Sequence, residues 1–402
     1  MKSTLRRAAV VAPLRTGVGS FGGSLRPLSA DQLATHIIKA VLERSGIESA
    51  SIDEVIVAQS YASSEAPCLG RYAALAAGLP IEVPGYTVDR RCGSGLQAVI
   101  DASMMVQTHA ADVVLVVGVE SMSNIAYYST DMRWGSRSGS VTFHDRLQRG
   151  RERSQPHERF GTISGMPETA ENLATEYGIT REEADAFAVS SHQRAAAAWA
   201  EGRFDEEVVS VPVPQKKGEP LIFVKDEGIR FDTSREALGR LRPVLKGGSV
   251  TAGNASQQND ASAACLIVAE DRLASLNLEP MAFLSGWAAA GCHPATMGIG
   301  PVPAVKKLFA LTGLSFDQID LVELNEAFAA QVLSVLKAWQ WNDPERLNPN
   351  GGAIALGHPI GATGVRMLTT LLHELERRKG RYGLETMCIG GGQGLAALFE
   401  RP

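Results

Sequence analysis

Little in this chain suits a membrane, a nucleic acid or an oxidising compartment. No apolar run approaches the roughly 20 residues needed to cross a bilayer. The excess of acid is slight, a formal net charge of −5 over 402 residues, which gives nucleic acid no global electrostatic footing. Cysteine is scarce and odd in number, five in all, which argues against a disulfide framework and for a reducing compartment. No metal-ligand spacing is evident and no Walker loop is present. The C-terminal glycine run lacks a following helix–strand unit, so a dinucleotide fold explains it poorly. What remains is an ordinary globular composition, 45% apolar and 21% charged with 40 glycines, long enough for two or three domains' worth of core.

The N-terminus is basic, with Lys2, Arg6, Arg7 and Arg15 ahead of the first acid, Asp31, a bias shared with organelle transit peptides. Ala8–Ala12 reads instead as a buried first strand, and the protein is expected to be cytoplasmic. Strand-like runs (Ala8–Ala12, Glu54–Ala58, Val113–Val119) alternate with helical patterns over Ala30–Arg44 and Gly95–His109, which predicts α/β layers with largely parallel sheets. Ser51–Val57 is echoed by Gln318–Leu324. Roughly forty residues after each comes a glycine turn opening a helix, then a strand of small and apolar residues, Val113–Val119 and Thr386–Gly390. Two similar α/β halves are the simplest account. Between them lies an excursion over 121–248, carrying an arginine cluster (Arg133, Arg137, Arg146, Arg149, Arg151, Arg153, Arg159). It also holds a helix announced by the capping box Thr180-Arg181-Glu182-Glu183. The arginines read as a solvated surface or a subunit contact, with attraction of a polyphosphorylated substrate as the other reading.

The most informative segment is Arg91-Cys92-Gly93-Ser94-Gly95-Leu96-Gln97. It follows an apolar stretch and precedes a helical pattern (Leu96, Val99, Ile100, Met104), so Cys92 sits at a helix mouth, where the dipole and free N–H groups favour a thiolate. Such a sulfur suits acyl chemistry; a buried structural cysteine is the plainer reading. Leu324-Asn325-Glu326-Ala327-Phe328 puts polar residues at the end of an apolar run. Gly357-His358-Pro359-Ile360-Gly361 sets a histidine in a turn open to close approach. Cys388–Gly394 places a second cysteine beside glycine N–H groups, and Thr251–Ser256 is a small-residue loop able to lie against a flat ligand.

Taken together these segments resemble the thiolases, acyltransferases that make or cleave 3-ketoacyl-CoA. The resemblance extends over nearly the whole chain, adding Arg15-Thr16 with Gly19–Gly23, Met166 with Thr169–Asn172, and Met297–Ala304. It implies a duplicated fold layered α/β/α/β/α, with halves 1–120 plus 249–275 and 276–402 and the 121–248 excursion as a loop domain over the site. It implies Cys92 as the acylated nucleophile, His358 as its base, and Cys388 as the acid/base for the second acetyl-CoA. Asn325 would hold a water that acts with His358 on the enolate oxygen, and the N–H groups of Cys92 and Gly390 would form the other oxyanion hole. Ser256 is implied along the pantetheine arm, Met166 near the acyl or pantetheine tunnel, and Arg230 beside the adenine. Coenzyme A and acyl-CoA enter as substrates, no cofactor is expected to be tightly bound, and no metal, membrane or nucleic acid is implied. A homodimer or homotetramer with a place in fatty acid metabolism and β-oxidation completes the picture.

Three departures stand out. Asp89 occupies a position where many members carry asparagine, and a nearby ionised carboxylate would raise the thiol's pKa unless it is paired or turned away. Gly165-Met166-Pro167-Glu168 replaces a His-Met-Gly pattern. Cys292-His293 forms an adjacent cysteine–histidine pair. The alternatives are a decarboxylating ketoacyl synthase of the same superfamily, whose sites lack a cysteine like Cys388, and a non-catalytic lipid- or CoA-binding relative, which tends to lose the segment intact here as Asn325–Phe328.

Overall fold

The computed structural model describes residues 5–341 and 343–402, so Lys2 of the basic N-terminus lies outside the described residues. The principal elements of the first half are β1 (Ala8–Thr16), α1 (Ala30–Ser45), β2 (Glu54–Ala58), α2 (Leu69–Ala77), β3 (Gly85–Val88), α3 (Ser94–Gln107) and β4 (Val113–Ser121). The excursion supplies α4 (Arg146–Glu152), α5 (Met166–Tyr177) and α6 (Arg181–Ala200), and the chain returns through β5 (Asn259–Ala269). The second half comprises β6 (Ala282–Gly291), α7 (Pro301–Thr312), β7 (Leu321–Leu324), α8 (Ala329–Trp339), α9 (Thr363–Arg378), β8 (Tyr382–Ile389) and β9 (Gln393–Glu400). The capping box holds as read: the Thr180 hydroxyl accepts from the Glu183 N–H at 3.1 Å, and the Glu183 carboxylate accepts from the Thr180 N–H at 2.7 Å.

The layering follows from side-chain alternation along strands buried on both faces. Ala8, Val10, Ile56, Val114 and Val116 point into one core, while Ala9, Val11, Val55, Val57 and Leu115 point into another with α1 and α2. On the second-half strands Met387, Ile389, Leu395 and Ala397 face that same first core, and Leu384, Ala396 and Leu398 face a third with α7 and α8. The shared core holds α3 and α9, so these two helices form the middle layer. From Thr363 to Leu372, α9 is buried at every position.

Hydrogen bonding runs in the order β7-β8-β9-β6-β1-β5-β4-β2-β3, with Ala9↔Phe283 and Val10↔Ala282 joining the strands of the two halves. The expectation of largely parallel sheets is corrected here. β2–β3, β2–β4 and β7–β8 are parallel. β1–β5, β4–β5, β6–β9 and β8–β9 are antiparallel. Alternation with helices signals crossovers, but it is blind to a strand that re-enters from the opposite end, as β5 does. It is equally blind to a hairpin such as β8–β9, whose turn at Gly391 and Gly392 needs φ of 92° and 90°.

The middle layer positions the site because α3 and α9 start almost in contact. A Cβ on Gly364 would lie 2.1 Å from the Leu96 nitrogen, and one on Gly95 would lie 2.8 Å from the Val365 nitrogen. Only glycine permits this approach. It brings together the turns that precede the two helices, one carrying Cys92 and the other His358.

Candidate active site

Cys92 sits in a short 3₁₀ turn, Arg91–Gly93, directly before α3. Arg91 takes φ of 49°, an uncommon value for a residue with a side chain. The strain is held by a local network: the Ser94 hydroxyl donates to the Arg91 carbonyl at 2.6 Å and accepts from the Arg90 N–H at 2.8 Å. Asp89 joins it, accepting from the Arg91 N–H at 2.7 Å. The carboxylate that departs from the family pattern is exposed and spent on shaping the turn.

His358 Nε2 lies 3.2 Å from Cys92 Sγ, and its Nδ1 lies 2.7 Å from the Thr363 hydroxyl. That hydroxyl donates to the Pro359 carbonyl at 3.0 Å. Its single proton being used there, it accepts from Nδ1–H, which leaves Nε2 as the unprotonated nitrogen facing the thiol. Burial, with help from Arg366 and Arg151, pushes the imidazole down to about 3. The thiol of Cys92 is pushed up by burial, opposed by the Gly390 N–H and by Arg91 and Arg151. The expectation that the helix mouth favours a resting thiolate is therefore corrected: desolvation outweighs the dipole, and the pair rests as neutral thiol and neutral imidazole.

Gly390 lines the same cavity as Cys92 and His358. Cys388, two residues earlier on β8, is fully buried, and burial followed by Cys92 and Cys292 raises its thiol well above the usual range. It packs against Met297, Ala327 and Phe328, which are themselves walls of a cavity whose lining includes Cys92, His358 and Gly390. Asn325 is 1% exposed and bonded through its backbone to Thr386, yet neither atom of its side-chain amide has a protein partner. Ser256 and Met166 line the cavity. Arg230 does not; it is exposed at the surface, its N–H donating to His192 at 3.1 Å.

Three features went unread in the sequence. Glu120, at the end of β4, is fully buried and pushed up to about 7 by burial. Its carboxylate accepts from the N–H groups of Ser60, Tyr61 and Gly361, tying the His358 turn to the first half. Thr363 selects the imidazole tautomer. Arg91 and Arg151 line the cavity, so the surface reading of the arginine cluster fails for Arg151, although it describes Arg133, Arg137, Arg153 and Arg159, which are exposed. Cys292 and His293 do not face one another: the thiol contacts the Met297 carbonyl at 3.7 Å, while the imidazole accepts from the Ala295 N–H and meets the Phe160 ring edge-on. Among the described residues, no cluster of His, Cys, Asp and Glu could hold a metal ion.

Comparison with known proteins agrees with this geometry. Residues 8–271 match the family model "Thiolase, N-terminal domain" and residues 278–401 match "Thiolase, C-terminal domain". The chain is 46% identical over 396 residues to an acetyl-CoA acetyltransferase of Chromobacterium violaceum, covering 98% of this chain and 99% of that protein. It is 42% identical to a probable acetyl-CoA acyltransferase of Staphylococcus aureus, covering 99% and 100%. Among solved structures, the Bacillus anthracis acetyl-CoA acetyltransferase superposes with a TM-score of 0.95 at 39% identity, covering both chains completely. Human mitochondrial 3-ketoacyl-CoA thiolase in complex with CoA gives 0.93 at 40% identity, over 99% of each chain.

Proposed function

The chain belongs to the thiolase family, and on that premise we propose how its side chains divide the reversible acyl transfer between acyl-CoA and 3-ketoacyl-CoA. His358 Nε2 takes the Cys92 proton as the sulfur attacks the thioester carbonyl. The N–H groups of Cys92 and Gly390 receive the oxyanion, preorganised donors each typically worth about a hundred- to a thousand-fold in rate. The reading rests on one observation: the His358 imidazole lies 3.2 Å from the Cys92 sulfur, in a cavity that Gly390 also lines. Cys388 removes the α-proton of the second acetyl-CoA, or returns it in thiolysis. Its high thiol pKa suits the second of these, since the protonated form persists to deliver the proton. Asn325 holds a water that, with His358, stabilises the enolate oxygen. A fully buried amide without partners costs about 1–3 kcal/mol, which such a water would offset.

Coenzyme A enters along Ser256 and Met166, with Arg230 at the surface beside the adenine. The halves 1–120 plus 249–275 and 276–402 carry the catalytic turns, and 121–248 covers them. A homodimer or homotetramer is supported by exposed Tyr72, Leu75 and Ile81 near the free edge at β3, and by Trp134 at 94% exposure on the excursion. The five unpaired cysteines support a reducing, cytoplasmic setting, and membership of the thiolase family supports a place in fatty acid metabolism and β-oxidation. No described helix is long and apolar enough to cross a membrane.

The test is incubation with acetyl-CoA followed by peptide mass spectrometry. An acetyl adduct is expected on Cys92, persisting in Cys388→Ala while condensation is lost. Acetylation elsewhere, or condensation surviving in Cys388→Ala, overturns the assignment.

A further inference from the structure

The catalytic roles leave two cavity guanidiniums, Arg91 and Arg151, without an anionic partner among the described residues. They line the cavity beside Tyr61, Met122 and Ile360, which with Leu147 form a small apolar cluster touching Cys92. This wall touches the sulfur that carries the acyl group in the thiolase reading. Arg151 is held there by fixed backbone, since α4 is fastened to the first half at several points. The Arg146 guanidinium donates to the Ala62 carbonyl, Arg91 Nη2 donates to the Gly150 carbonyl at 2.9 Å, and Gly150 abuts the Tyr61 ring.

Neither guanidinium has an ion-pair partner among the described residues. The two acids nearby are otherwise engaged: Asp89 is exposed and bonds the Arg91 N–H, and Glu120 is taken up by three backbone N–H groups. A methyl-ended acyl chain gains nothing from such groups and would desolvate them at a cost. A carboxylate at the end of the chain would meet planar donors suited to bidentate pairing. The coenzyme A diphosphate is a poor candidate for the same donors. The whole pantetheine arm separates it from the thioester carbon, whereas both arginines line the cavity that Cys92 and His358 also line.

Building on the thiolase reading, we propose that this enzyme selects acyl chains that end in a carboxylate, with Arg151 and Arg91 holding the distal carboxylate while Cys92 holds the acyl carbon. In the thiolytic direction the substrate is an ω-carboxy-3-ketoacyl-CoA. Cys92 attacks the keto carbon, and the bond between the α and β carbons breaks. Cys388 supplies the proton that completes acetyl-CoA. The thiol of free coenzyme A then takes the ω-carboxyacyl group; its proton restores Cys388, and His358 returns to the departing Cys92 thiolate the proton it took at the attack.

The experiment compares kcat/KM for thiolysis of 3-oxohexanoyl-CoA and its ω-carboxy counterpart, in the wild type, Arg151→Leu and Arg151→Lys. The wild type should favour the carboxy ester by at least about tenfold, the scale of one charge-assisted pair. Arg151→Leu should collapse that ratio, and Arg151→Lys should retain part of it. A wild type that prefers the methyl-ended ester, or a ratio unmoved in Arg151→Leu, overturns the proposal. Equal losses on both esters would assign the arginine to thiol activation, and a raised KM for free coenzyme A on both would assign it to the phosphates. Failure of the thiolase reading itself looks different: neither ester would be cleaved and no acyl group would appear on Cys92.

Discussion

Thr363 decides which nitrogen of His358 meets the nucleophile, because its hydroxyl is pinned between the Pro359 carbonyl and Nδ1. Thr363→Val keeps the shape and removes the acceptor, so the imidazole loses its preference between tautomers. Loss of one such bond, about 1 kcal/mol, should lower the acylation rate roughly five- to tenfold, and Thr363→Ser should restore it. Pre-steady-state release of coenzyme A checks this; a Thr363→Val rate equal to wild type would refute it. The pH dependence follows from the same burial. With His358 depressed to about 3, its base form persists at mild acid, so acylation should show no falling limb near the ordinary imidazole value of about 6.5. A limb found there in kcat/KM for acetyl-CoA would mean that His358 titrates normally. Cys92, His358 and Cys388 were legible as residue types in glycine-rich settings. Thr363 was not, because a threonine after a turn carries no signal until its hydroxyl is seen to have two partners.

At the level of elements, the catalytic pair depends on how closely two helices begin. The repeat in the sequence showed that each half has a glycine turn opening a helix, and the structure adds that α3 and α9 meet end against end. Gly364→Ala would force a Cβ to within 2.1 Å of the Leu96 backbone nitrogen, an atom that cannot yield as a flexible side chain can. Overpacking of this kind costs typically about 1–3 kcal/mol. Any separation of the helices also lengthens the 3.2 Å contact between His358 and Cys92. A folded Gly364→Ala protein should therefore lose acetylation of Cys92 out of proportion to its fall in thermal midpoint. Near-normal acetylation would show that the pair tolerates the shift. Strand direction was the part of the element scale the sequence did not disclose. Val113–Ser121 and Asn259–Ala269 are both apolar runs buried on both faces, and nothing in either says that they pair antiparallel across the excursion.

Across the whole molecule, the most consequential feature invisible to composition is charge inside the sheet–helix interior. Glu323 on β7 and Glu385 on β8 are paired neighbours in register, both fully buried, with Arg366 of α9 as the opposing charge at Glu323. Burial pushes Glu323 up to about 8 and Glu385 well above its usual range. Both oxygens of Glu385 lack a hydrogen-bond partner. The folded state therefore binds more protons here than the unfolded chain, in which these carboxyls titrate near 4.5. This stabilisation is fully present below that value and is lost as pH rises through about 8 for Glu323, with Glu385 contributing in the same direction. Wild-type thermal midpoints should fall from neutral to mildly alkaline pH. Glu385→Gln, near-isosteric and never charged, should flatten that fall and melt above wild type at about pH 9. Glu323→Gln should flatten the fall less, since above about pH 8 it also removes a charge facing Arg366, which Asp226 and Glu207 continue to oppose. Differential scanning calorimetry of the three proteins across that range decides the matter. If Glu385→Gln melts below wild type under alkaline conditions, Glu385 is ionised in the folded protein, and Arg366 must be neutralising both acids rather than one.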